Sequence, residues 1–100
     1  MTTRRQMTAP TFDPMGSHTS NASISSATTL TPPTGASLLM IQATGQNVLI
    51  TLDGTTPTTT AGFTLYAGDP PSLVPVAPDA TIKVIQSTAT ARINYQFGTA

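Results

Sequence analysis

No segment of this chain can build an amphipathic helix of useful length. Gly, Pro and β-branched residues interrupt every stretch, and apolar residues nowhere recur at the spacing that a helix face needs. Val, Ile and Thr, whose stiff χ1 torsions favour extended backbone, dominate instead. What remains is a series of short apolar or alternating runs punctuated by Gly and Pro, the pattern of a small sandwich or barrel of strands.

The runs can be placed individually. Residues 36–43 (ASLLMIQA) have strand length, and residues 47–53 (NVLITLD) alternate with Val48, Ile50 and Leu52 on one side. Thr44-Gly45-Gln46 between them predicts a hairpin connection, with Gly supplying positive φ. Residues 63–67 (FTLYA) form the next strand, stopped by Gly68-Asp69-Pro70-Pro71. Residues 73–76 lie between prolines and so belong at an edge. Residues 81–87 (TIKVIQS) and 91–97 (ARINYQF) complete the set, and residues 28–31 read as a further edge strand before Pro32-Pro33. The predicted core is Leu38, Met40, Val48, Ile50, Leu52, Leu65, Ile82, Val84, Ile93, Tyr95 and Phe97. The fold class is therefore all-β, a small jelly-roll or Ig-like β-sandwich over residues 27–100. Residues 1–26 show no apolar period and read as an extended N-terminal arm, unable to offset its ordering entropy alone.

Charge limits the chemistry. Only 8% of residues are charged, against about 25% in an average soluble domain. Glu is absent, and roughly a fifth of the chain is Thr. Its exposed surface must be hydroxyl, amide and backbone, and a formal net charge of +0 favours association over repulsion. Four Lys and Arg cannot neutralise a run of phosphates, so nucleic acid is not an expected partner. No apolar run approaches the roughly 18 residues of a membrane span. The start, MTTRRQMTAP, has no apolar stretch behind its arginines and does not read as a secretory signal. With no Cys and one His, thiolate and multi-histidine sites are ruled out, and no cofactor is expected.

Asp53, Asp69 and Asp79 each stand beside Gly or Pro in a turn, where Asp ordinarily bonds its own backbone. That argues against a carboxylate pair or a calcium cage. His18 lies in the arm, away from any rigid scaffold that could hold it as a base. No phosphate-binding glycine loop is present. Phe63, Tyr66, Tyr95 and Phe97 read as core aromatics, and the chain as a whole as non-enzymatic.

The most specific local signal is Ile50-Thr51-Leu52-Asp53-Gly54-Thr55-Thr56-Pro57-Thr58, followed by Ala61-Gly62-Phe63-Thr64-Leu65. In this turn Asp53 accepts backbone bonds, Gly54 takes the positive φ, and Pro57 stops the strand. The stretch resembles small virion proteins of tailed bacteriophages, in which a strand ends in a T-x-D-G-[ST]-x-P-[ST] turn before a Gly-apolar strand. The preceding LLMIQA, the Gly-Asp-Pro-Pro break and the terminal ARINYQFG extend the resemblance over residues 27–98. It implies a capsid decoration (cement) protein bridging major capsid subunits, made in the bacterial cytoplasm and carried on the virion exterior as a homo-oligomer. A head–tail adaptor, collar or tail component is the alternative it leaves open. A related DG[ST]xPT turn occurs in β-modules of chitin-degrading enzymes, which makes a carbohydrate-binding module a further alternative. Those modules carry an aromatic two or three residues before the Asp, where this chain has Ile50 and Thr51. Within the arm, Arg4, Arg5, Phe12 and His18 are the candidate partner-binding residues, and extended backbone at up to about 3.3 Å per residue gives them reach.

Overall fold

A computed structural model describes residues 12–77 and 80–100. They form eight strands: β1 (Asp13–Asn21), β2 (Thr28–Leu30), β3 (Leu38–Thr44), β4 (Val48–Thr51), β5 (Phe63–Leu65), β6 (Ser72–Pro75), β7 (Ile82–Gln86) and β8 (Arg92–Thr99). Two four-stranded sheets, ordered β1-β8-β3-β6 and β2-β7-β4-β5, pack face to face. Every neighbouring pair is antiparallel. The chain is all-β, a small β-sandwich.

Alternation decides which side chains meet between the sheets. On β3, Leu39, Ile41 and Ala43 are buried, while Met40, Gln42 and Thr44 turn outward. On β8, Ile93 and Phe97 point inward, and Tyr95 packs edge-on against Phe97 with ring centroids 5.9 Å apart. Ile82 and Val84 of β7 and Val48 and Ile50 of β4 face them from the second sheet. Each such aliphatic side chain contributes about 1.5–3 kcal/mol relative to leaving it in water. Proline confines β6 to an edge, as its flanks predict, and β2 forms the edge of the other sheet.

Three expectations need correction. Thr44-Gly45-Gln46 is not a hairpin, because β3 lies in the first sheet and β4 in the second. The link arches between sheets, with Gly45 at φ +81° pressed against the Thr90 carbonyl, where a Cβ would stand 2.6 Å away. A glycine with positive φ serves a hairpin and an arch equally well, so the local signal does not distinguish them. Among the described residues the one hairpin is β4–β5, joined by the long connection over residues 52–62. Second, β4 is buried on both faces, Leu49 and Thr51 included. The 52–62 connection folds back over its outer face, so that a Cβ at Gly62 would meet Leu49 Cβ at 3.2 Å.

Third, the described part of the leading segment, from Phe12 onward, belongs to the sandwich. From Asp13 to Asn21 it forms β1, paired with β8 from Asp13↔Thr99 to Asn21↔Ile93. Ile24 is fully buried in the core, and its carbonyl accepts the Gln86 N–H at 2.9 Å. No apolar period marks this strand because a bulge between Met15 and Thr19 breaks its alternation, and because main-chain bonds hold it whatever its side chains are. Residues 1–11, with Arg4 and Arg5, lie outside the described residues. Ile24→Ala is accordingly expected to cost about 2–5 kcal/mol in urea unfolding, comparable to Ile93→Ala. Deleting residues 1–24 should cause loss of the β circular-dichroism signal at ordinary temperature. A stable truncated domain, or an Ile24→Ala variant as stable as the parent, would show that the segment is an appendage.

Candidate functional site

The Asp-Gly turn is tied down at several points. Asp53 Oδ1 accepts the Thr55 N–H at 3.0 Å. Gly54, at φ +87°, donates its N–H to the Thr81 carbonyl at 2.9 Å, linking the turn to the approach of β7. The Thr51 hydroxyl donates to the Thr55 carbonyl. Pro57 is fully buried, and Thr58 and Ala61 exchange backbone bonds of 3.1 and 3.3 Å. Asp53, Gly54, Thr55, Thr56 and Pro57 thus form a rigid corner at the end of β4. The Thr55 hydroxyl and backbone N–H hold the exposed Asp53 carboxyl below the usual carboxylate range.

Beside this corner opens a groove of about 480 Å³, lined by Thr51, Leu52, Asp53, Thr55, Gly62 and Phe63. Its walls supply one phenyl ring, one carboxylate and hydroxyl groups. Among the described residues no cation lines it to pair with a phosphate. Asp53 is the one acidic group on it among the described residues.

Phe63 and Tyr66 are 68% and 58% exposed, the large apolar side chains that the fold leaves out. They are not the core aromatics that the sequence predicts. Register explains both. Phe63 stands opposite Ile50, and so on the core side of β5, but β5 is the edge strand of its sheet and Phe63 is its first residue. Tyr66 follows Leu65, which packs inward, and alternation sends the next side chain outward. That second placement was legible in FTLYA itself. Of the other two, Phe97 lies in the core, and Tyr95 is half-buried against it.

The other open surface is the outer face of the first sheet. Gln42 sits opposite Asn94, Met40 opposite Gln96 and Leu73, and Thr44 opposite Arg92. Arg92 Nη1 donates to Ser20 Oγ at 2.9 Å, and Gln96 Nε2 to the Gly16 carbonyl at 3.0 Å. His18 is exposed in the bulge of β1, at the rim of a shallow 120 Å³ depression that also touches Met40 and Pro71. Phe12 lies over Gly98, its Cε1 at 2.5 Å from where a Cβ would be, so it packs on its own chain. Of the candidate arm residues, His18 therefore joins this face, and Phe12 serves the fold.

Among the described residues no group of three or more acidic, His or Cys side chains could hold a metal ion, and no helix is long and apolar enough to cross a membrane. Compared with known proteins, the chain matches no family model, no curated protein and no solved structure.

The Asp53 carboxyl is expected to titrate below the ordinary range when followed by NMR, and Thr55→Val to move its midpoint upward. Since its folded-state value lies under the unfolded one, any stability it lends is complete above the unfolded range and fades as pH falls through the folded value. An unchanged midpoint in Thr55→Val would remove the hydroxyl as the cause.

Proposed function

We propose that this protein is a non-enzymatic decoration protein of a bacteriophage virion, seated on the exterior of the capsid and bridging major capsid subunits. The observation that carries this reading is the outer face of the first sheet. It is a continuous strand surface of amides, hydroxyls and two apolar side chains, with Arg92 already bonded to Ser20. Such a face contacts a protein surface at low desolvation cost, since its centre is amide and hydroxyl and its charged side chain, Arg92, stands at the end of β8. Its amide side chains both donate and accept, which suits them to the mixed polar groups of a shell. Many weak copies on a lattice gain through avidity, so no single contact has to be strong. The likeness of the Asp53–Pro57 turn to those of small virion proteins supports the same assignment.

Heating particles with and without the protein tests it. Decorated particles should burst at a higher temperature, and Asn94→Lys, which places a charge at the centre of the face, should weaken attachment at least tenfold. Equal bursting temperatures would end the cement role. Copy number separates the alternative placement, because hundreds of copies mean a shell and a dozen or fewer mean a head–tail or tail ring.

The corner groove favours a second reading, a carbohydrate-binding module. An exposed phenyl face beside a carboxylate and threonine hydroxyls is chemistry that saccharides engage. Phe63 carries this reading in place of Tyr95, whose ring is committed to Phe97. A glycan array on which Phe63→Ala lowers the signal would support it, and a blank array would dispose of it.

A further inference from the structure

The hydrogen-bond donors at the corner groove are already spent inside the turn. The Thr51 hydroxyl gives its proton to the Thr55 carbonyl. The Thr55 N–H goes to Asp53 Oδ1 at 3.0 Å, and the Thr55 hydroxyl is turned to the same carboxyl. The Gly54 N–H is bound to the Thr81 carbonyl at 2.9 Å. The polar wall is therefore rich in acceptors and poor in donors. A neutral sugar needs both, whereas a ligand that only donates needs acceptors alone.

Two features of negative character line the same groove. The Asp53 carboxylate is exposed, and its bonds to Thr55 keep it ionised at neutral pH. The Phe63 ring is largely exposed, and the face of an aromatic ring carries the negative part of its quadrupole. Among the described residues no cation lines the groove to answer them, and Lys83 pairs with Thr51 across the β4–β7 ladder without lining it. The corner that carries Asp53 is rigid, with Pro57 buried and Gly54 tied to Thr81. A volume of about 480 Å³ is that of a small-molecule pocket.

We propose that the corner groove binds an organic cation, an alkylammonium or guanidinium group seated over the Phe63 ring and paired with the Asp53 carboxylate. A hard metal ion does not suit it, because such an ion takes several oxygen ligands and Asp53 is the one acidic group on the groove among the described residues. A diffuse, weakly hydrated cation loses little on leaving water and gains from the ring and the carboxylate together. The inference goes beyond the saccharide reading of the same groove, since charge rather than a pattern of hydroxyls selects the ligand. It does not depend on the shell-binding reading, which rests on the other sheet.

Choline and its neutral isostere, in which a quaternary carbon replaces the nitrogen, have nearly one shape and differ by one charge. In NMR titrations of the full-length protein, choline is expected to shift the Gly54, Thr55 and Gly62 amides along a saturable curve. The isostere should bind at least about fivefold more weakly. Asp53→Asn keeps an oxygen for the Thr55 N–H, so the turn survives while the charge is lost, and it should weaken choline at least about fivefold. Phe63→Leu, which keeps apolar bulk and removes the ring, should weaken it as well. N-acetylarginine amide separates the two sources of such a group. Tighter binding than choline assigns the groove to a protein side chain, and weaker binding to a free cation. Equal affinity for choline and the isostere, choline binding unchanged in Asp53→Asn, methyl glucoside bound as tightly as choline, or no saturable shift would each overturn the proposal. If Phe63→Leu loses its circular-dichroism signal, the comparison of choline with its isostere decides.

Discussion

Everything in the first sheet hangs on β8. It is hydrogen-bonded on both sides, to β1 across Asp13–Asn21 and to β3 across Leu38–Thr44, and its inner residues Ile93 and Phe97 face the second sheet. This is why a segment with no apolar pattern of its own becomes a strand. β1 needs only a free main-chain partner, and β8 offers one over its length. Gly98 makes the close approach workable. A Cβ there would lie 2.6 Å from the Asp13 carbonyl and closer still to the Phe12 ring. The bulge that follows in β1 then ends the sheet, turning its outer edge away from strand addition.

A nearly ion-free composition has two consequences in this fold. Polar groups are satisfied by short side-chain bridges, some local, such as Asn21 Oδ1 to the Ser23 N–H at 2.8 Å, and some between distant segments, such as Asn47 Oδ1 to the Ala67 N–H at 2.9 Å. They hold turns and arches in place without salt bridges. The faces that remain carry little charge, so what approaches them is selected by shape and short-range contacts rather than by long-range attraction. Two such faces lie apart from one another. The outer side of the first sheet is broad and amide-rich, whereas β5 at the edge of the second is narrow and aromatic.

Much of the architecture was legible in the residues. Alternation in residues 91–97 gave a strand with the correct inner face, and prolines around residues 73–76 assigned an edge. Residues 36–43 read correctly as a strand but with the wrong face inward: an unbroken apolar run carries no alternation, and the core takes Leu39 and Ile41 where Leu38 and Met40 were expected. The Asp53-Gly54 turn has the expected bonds because Asx chemistry is local and needs no tertiary partner. What escaped was everything decided by distant chain. Ile24 looks isolated in sequence yet finds its neighbours only when two sheets close over it. Leu49 alternates outward and is buried all the same, because the 52–62 connection returns over it. Gly45 announces a reversal without saying whether the chain re-enters the same sheet. At the candidate surfaces, Tyr66 could be placed by counting from Leu65, but the exposure of Phe63 depends on β5 being an edge strand, which only the sheet order decides.

The central claim is that an amide-rich strand face with little charge does the binding, and image reconstruction of the assembled particle tests it most directly. The account predicts sandwich-shaped density repeated over the shell, with Gln42, Asn94 and Gln96 turned toward the major capsid protein. Particles without such density, or copies bound to the shell with that face directed into solvent, would contradict it.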